Sequence, residues 1–147
     1  MTRLKGAYLN SVDPKGRISV PARFRKALES DGHQTFVLTS GFDPCLLLYP
    51  PDQWRKVEAW LDSLPIEQRA WRNLVRRFAA YAHDVAFDKQ GRITVPPVLK
   101  EYAKLDREVL VIGVFDRLEL WNPSLFDEHV KASEAFDERH APEAFRK

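Results

Sequence analysis

Two stretches decide the fold: Asp13-Pro14-Lys15-Gly16-Arg17-Ile18-Ser19-Val20-Pro21 and Asp88-Lys89-Gln90-Gly91-Arg92-Ile93-Thr94-Val95-Pro96. They lie 75 positions apart and share the order Asp-x-x-Gly-Arg-Ile-[Ser/Thr]-Val-Pro. The likeness extends downstream. Phe42-Asp43 returns as Phe115-Asp116 at a spacing of 73, and Leu46-Leu47-Leu48-Tyr49 with Pro51 returns as Leu118-Glu119-Leu120-Trp121 with Pro123 at a spacing of 72. A shared order of features with slowly drifting spacing is the mark of a duplicated unit.

Each copy reads the same way. Asp suits the first position of a type I turn, Pro14 presets the next dihedral, and Gly supplies the positive φ that a bulged hairpin needs, so Asp-x-x-Gly-Arg is a hairpin tip. Ile18 and Val20 alternate with Arg17 and Ser19, as Ile93 and Val95 do with Arg92 and Thr94, which predicts half-buried strands. Pro21 and Pro96 end these strands and open short helices over Ala22–Glu29 and Pro97–Lys104. Further strands are expected over Thr35–Thr39 and Cys45–Tyr49, then Val109–Gly113 and Arg117–Trp121, joined at Gly41-Phe42-Asp43-Pro44 and Val114-Phe115-Asp116. Between the units, helices are expected over Pro51–Leu64 and Ile66–His83, separated by Pro65. A last helix is expected over Ser124–Glu138, with a fraying tail from Arg139 to Lys147.

A hairpin with short flanking strands is marginal alone in water. Two copies in one chain can pair with each other and close a shared barrel-like core, so the expected fold is α+β: one pseudo-symmetric body with flanking helices. The expected division is unit 1 over 4–52, connecting helices over 53–81, unit 2 over 82–125, and a C-terminal helix and tail over 126–147.

Composition sets the outer bounds. The chain has 147 residues, of which 44% are hydrophobic and 30% charged, which suits a folded domain and not a disordered chain. One cysteine, Cys45, permits no internal disulfide and points to a reducing, cytoplasmic compartment. No leader-like apolar run follows the first basic residues, and no stretch is long enough for a membrane span. His33, His83, His129 and His140 share no ligand spacing, so no metal or other cofactor is expected. A Gly-rich phosphate loop and a nucleophile elbow are both lacking, which disfavours an enzyme with a small-molecule substrate. Cys45, in an apolar strand, reads as a packed thiol.

The formal net charge of +2 conceals an asymmetry. Residues 1–28 hold Arg3, Lys5, Lys15, Arg17, Arg23, Arg25 and Lys26 against Asp13 alone. The matching stretch 82–107 holds five cations, among them Lys89 and Arg92, against four carboxylates, among them Asp88. Residues 127–147 are acidic, with six carboxylates against four bases. A basic hairpin tip is the footprint of a nucleic-acid binder: cations neutralise phosphate, and Arg or Lys reaches guanine edges in the major groove. Tyr8 is the only aromatic residue before Phe24, so a stacking platform for single strands is missing and duplex DNA is the better partner. The expected contact set is Arg3, Lys5, Lys15, Arg17, Arg23 and Arg25. Asp13, Asp88, Lys89 and Arg92 are expected in secondary or structural roles, with Asp13 and Asp88 chiefly serving the turns. The arginines Arg69, Arg72, Arg76 and Arg77 read as a solvated helix face. Trp54, Trp60, Trp71, Phe78 and Phe126 read as core or subunit contacts.

The doubled block, Gly6-Ala7 and the overall length resemble MraZ, a family of bacterial transcriptional regulators built from two domains of the AbrB/SpoVT swapped-hairpin type, over about residues 4 to 130, which implies a pseudo-symmetric swapped-hairpin β-barrel of two duplicated units. The resemblance implies a DNA-binding homo-oligomer, ring-shaped and nucleoid-associated. It implies recognition of short direct repeats upstream of the division and cell-wall gene cluster. It also implies DNA contact through Asp-x-x-x-Arg hairpins, here Asp13 and Arg17 with Asp88 and Arg92. The two copies differ between these residues, Pro14-Lys15 in one and Lys89-Gln90 in the other. The alternative is an antitoxin-like or scaffold oligomer that uses the same fold for protein contacts.

Overall fold

The computed structural model describes residues 3–131. The chain runs β1 (Leu4–Ser11), β2 (Arg17–Ser19), α1 (Ala22–Glu29), β3 (Phe36–Ser40), β4 (Leu46–Tyr49), α2 (Pro51–Asp62), α3 (Arg69–Tyr81), β5 (His83–Val85), β6 (Arg92–Thr94), α4 (Pro97–Tyr102), β7 (Glu108–Phe115), β8 (Leu118–Trp121) and α5 (Pro123–Phe126), then a π-helical turn over Asp127–Lys131. The α+β class is as expected, and the sheet is antiparallel throughout.

Six strands form one sheet in the order β1-β7-β8-β4-β3-β5, and β2 and β6 form a separate two-stranded ribbon. The order is open: β1 and β5 are its two edges, so the expected closed barrel is not formed by the hydrogen-bonded strands. Pairing crosses between the repeats. β1, from the first copy, lies along β7 of the second, from Leu4 opposite Phe115 to Ser11 opposite Glu108. β2 pairs with β6, with Ile18 directly opposite Ile93. Gly113 makes the first of these pairings possible: a Cβ there would lie 2.5 Å from the Lys5 backbone nitrogen.

Both units supply one core. Ile18, Val20, Phe24, Leu28, Phe36 and Leu46 pack with Ile93, Val95, Leu99, Val109, Leu118 and Leu120. Strand β4 is apolar on both faces for a reason. Leu46 and Leu48 enter this core, while Leu47 and Tyr49 turn to a second cluster with Cys45 and Trp121, covered by Trp54, Val57, Leu125 and Phe126.

Several expected boundaries move. The helix expected over 66–83 begins at Arg69 and ends at Tyr81, because Ala82 is extended (ψ 127°) and His83 already pairs with Leu38 in the sheet. The helix expected over 97–104 stops at Tyr102, and Lys104 takes a left-handed φ of 52°. The expected C-terminal helix is α-helical only over Pro123–Phe126 and continues as the π turn; its portion from 132 to 138, and the tail 139–147, lie outside the described residues. Phe78 is buried as expected, but Trp60 and Trp71 are 42% and 37% exposed, so they do not fill the core of this chain. Among the described residues no helix is long and apolar enough to cross a membrane.

Candidate nucleic-acid interface

The two Asp-x-x-Gly-Arg loops have nearly the same hydrogen bonds. In the first, Asp13 Oδ1 accepts the Lys15 and Arg17 backbone N–H groups at 2.9 and 2.8 Å, and the Gly16 N–H donates to the Asp13 carbonyl at 2.9 Å. In the second, Asp88 Oδ1 accepts the Gln90 and Arg92 N–H groups, both at 2.9 Å, and Gly91 N–H donates to the Asp88 carbonyl at 3.0 Å. Gly16 and Gly91 have φ of +76° and +75°, a region where a side chain is strained. The sequence therefore writes the same turn twice: the short acid collects the N–H groups and glycine turns the corner.

The acid has a second function in each loop. Its other oxygen, Oδ2, accepts the arginine Nε of the same loop: Arg17 Nε to Asp13 at 2.5 Å, Arg92 Nε to Asp88 at 2.9 Å. A guanidinium gripped at Nε is oriented while its Nη amino groups remain as donors, the geometry that a phosphate or a guanine edge requires. Among the described residues Arg17's Nη groups have no partner. Arg92 is different, since its Nη1 also lies 3.9 Å from Asp13 Oδ2. Asp13 thus faces both arginines, and Arg92 is the more neutralised of the two. Both carboxyls are held below the ordinary carboxylate range. In each the largest cause is the backbone N–H of its own arginine, reinforced by that arginine's side chain against some desolvation.

The antiparallel β2–β6 ribbon joins the two loops, one entering it at each end. Val20 N–H donates to the Gly91 carbonyl at 3.1 Å, and Val95 N–H donates to the Gly16 carbonyl at 2.9 Å. Lys15 and Arg17 thus flank one end of this three-residue ribbon and Lys89 and Arg92 the other, with Arg92 reaching Asp13; Lys15 and Lys89 are exposed, and Arg17 and Arg92 are partly so. The other expected cations fall into two places. Arg3, Lys5 and Arg23 border a cleft of about 360 Å³ with Leu4, Phe24 and Ala27. Within this group, Arg3 stacks over Phe115 with Cζ 5.0 Å from the ring centre, and Arg23 Nη1 donates to the Tyr8 hydroxyl at 3.3 Å. Arg25 turns the other way: its Nε donates to the Val20 carbonyl at 3.0 Å, and its guanidinium covers Gly91. This contact across the repeats has no signal in linear sequence, because it depends on the β2–β6 pairing.

Other candidate groups stand apart from the loops. On α3, Arg69 and Arg76 are exposed, Arg72 Nη1 donates to the Ile66 carbonyl at 2.9 Å, and Arg76 Nη1 donates to Asn73 Oδ1 at 3.1 Å. Asp31, His33 and Asp52 come within 4.8 Å of one another, a proximity that their separation in sequence hides. Cys45 is buried, and burial pushes its thiol pKa up, so it is a poor nucleophile.

Fold and loops together define a class: a duplicated α+β chain that presents two acid-capped basic loops on one ribbon. The family model described as "MraZ protein, putative antitoxin-like" matches residues 4–77 and again 78–146, and the chain belongs to the MraZ family. It is 43% identical over 129 residues to a protein of Desulfitobacterium hafniense (strain Y51), covering 88% of this chain and 87% of that one. It is 43% identical over 134 residues to one of Halothermothrix orenii, covering 90% and 91%. A protein of Caldanaerobacter subterraneus subsp. tengcongensis is 40% identical over 136 residues, covering 92% of each. All three relatives are named "Transcriptional regulator MraZ".

Proposed function

We propose that this chain is a transcriptional regulator that binds double-stranded DNA sequence-specifically, with the β2–β6 ribbon and its two loops facing the major groove. The observation that carries the reading is the acid-gripped arginine: Asp13 holds Arg17 by Nε and leaves its Nη donors unpartnered, on a loop where Lys15 is exposed. Phosphate neutralisation by Lys15, Arg3, Lys5 and Arg23 supplies affinity, and Arg17 supplies base readout. The second loop contributes less, because Arg92 is shared between Asp88 and Asp13.

The names of the relatives support the regulatory role. The family resemblance supports the finer reading. In it the two units, 4–52 and 82–125, are AbrB/SpoVT-like, and the chain acts in the cytoplasm on the nucleoid. A ring of copies engages short direct repeats upstream of the division and cell-wall genes. Weak contacts at successive repeats then combine through effective concentration. The protein works as a binder and not as a catalyst.

The test is a gel-shift titration with a duplex carrying direct repeats from that upstream region, beside a scrambled duplex. Wild type is expected to prefer the repeat duplex. Arg17→Ala is expected to lose at least about tenfold in affinity, the scale of one lost bidentate base contact, with an unchanged circular dichroism spectrum. Arg92→Ala is expected to lose less. A chain that binds neither duplex, while capturing a protein partner, favours the antitoxin-like or scaffold alternative.

A further inference from the structure

The charge pattern groups Arg25 with the DNA-contacting cations, but its surroundings give it another function. Arg25 lies on α1, in the first repeat, and its guanidinium is packed on the loop of the second. A Cβ on Gly91 would lie 2.5 Å from both Cζ and Nε of Arg25 and 2.8 Å from Nη1, so the guanidinium occupies the space that glycine's missing side chain leaves open. Val20 links the two: its N–H donates to the Gly91 carbonyl, and its own carbonyl accepts Arg25 Nε. The planar fork thus closes a bridge from α1 through the end of β2 to the residue that precedes Arg92.

The repeat offers an internal control. Counting from Pro21 and Pro96, the position equivalent to Arg25 is Lys100. A Cβ on Gly16 would meet only the Val95 carbonyl oxygen, at 3.2 Å, and no atom of Lys100 within 4 Å. The second loop is therefore braced by a guanidinium from the other repeat, whereas the first is not. The first loop instead has Pro14, which fixes one of its dihedrals.

We infer that Arg25 is a positioning residue for the second loop: it holds Gly91, and through it Arg92 and Lys89, in fixed relation to the first loop, instead of contacting DNA itself. This rests on the reading of the loops as the DNA interface, but the brace can be measured without DNA.

The first measurement is amide hydrogen exchange on the DNA-free, full-length chain. Arg25→Ala is expected to speed exchange at Gln90, Gly91 and Arg92 and to leave Lys15, Gly16 and Arg17 unchanged. Unchanged exchange at 90–92 in a folded Arg25→Ala variant overturns the inference, whatever the protein binds.

The second measurement is a double-mutant cycle, using a duplex selected by the wild-type chain from a random-sequence pool. Arg25→Ala is expected to weaken binding in the wild-type background by no more than Arg92→Ala does, and hardly at all in the Arg92→Ala background, since the brace acts through that loop. Arg25→Lys keeps the charge but not the planar fork, and is expected not to restore affinity. Full rescue by Arg25→Lys, or an equal loss in both backgrounds, identifies a direct phosphate contact and overturns the inference. Should the wild-type chain select no duplex, the DNA reading fails while the exchange result still decides the brace.

Discussion

Asp13 and Asp88 each accept two backbone N–H groups and one arginine Nε, so a single short side chain shapes the loop and aims the cation. Their lowered pKa values have a consequence for pH. A carboxyl whose folded value lies below its unfolded one, about 3.9, contributes stability that is fully present above the unfolded value. That contribution is lost as pH falls through the folded value. The melting temperature should thus be insensitive to these groups at neutral pH and fall below about pH 4. An Asp13→Asn, Asp88→Asn double variant should show a shallower acid fall than wild type. An identical fall in thermal melts of the two proteins would show that the carboxylates contribute nothing to the acid response. The turn residues were fully legible in sequence because their chemistry is local. The grip on arginine Nε was foreseeable as an ion pair across the turn, but the approach of Arg92 to Asp13 was not, since it depends on how the loops pair.

At the scale of elements, pattern was informative where one face is buried and silent where strands are held from outside. Strands β3, β4, β7 and β8 showed themselves by their apolar runs. Strand β1 did not: in Leu4–Ser11 the large apolar residues Tyr8 and Leu9 are 36% and 56% exposed, and only Leu4 is fully buried. It is a strand because β7 offers it a register. Strand β5 has three residues, and the helical periodicity Trp71-Leu74-Val75-Phe78 predicts a helix that runs into the first of them, His83. The β1–β7 pairing turns on Gly113. A methyl group there meets the β1 backbone at Lys5 N and Leu4 C, which cannot move aside as a flexible side chain could. Gly113→Ala is expected to cost about 1–3 kcal/mol in urea unfolding and to speed amide exchange along β1. An unchanged midpoint would contradict the close approach.

For the whole molecule the defining fact is that neither repeat owns its core. Ile18 and Ile93 are both fully buried, face each other across β2–β6, and belong to one cluster fed by both halves. Ile18→Ala should cost about 2–5 kcal/mol and shift a single cooperative transition. Two resolved transitions, or limited proteolysis that leaves a stable half, would contradict a shared core. Duplication and a shared body were legible from the repeated blocks. Closure into a barrel was not borne out as a hydrogen-bonded ring, because β1 and β5 pair inward only. The charge asymmetry located the basic end of the chain, but only the ribbon ties the loop of Lys89 and Arg92 to that of Lys15 and Arg17. The central claim is that Arg17 on the first loop contacts DNA, and the most direct test is the salt dependence of duplex affinity for wild type beside Arg17→Ala. For wild type, log K is expected to fall steeply with log salt, by about 0.9 per neutralised phosphate, and the folded variant is expected to bind much more weakly at every salt concentration. Wild-type affinity and slope in a folded Arg17→Ala chain would contradict it.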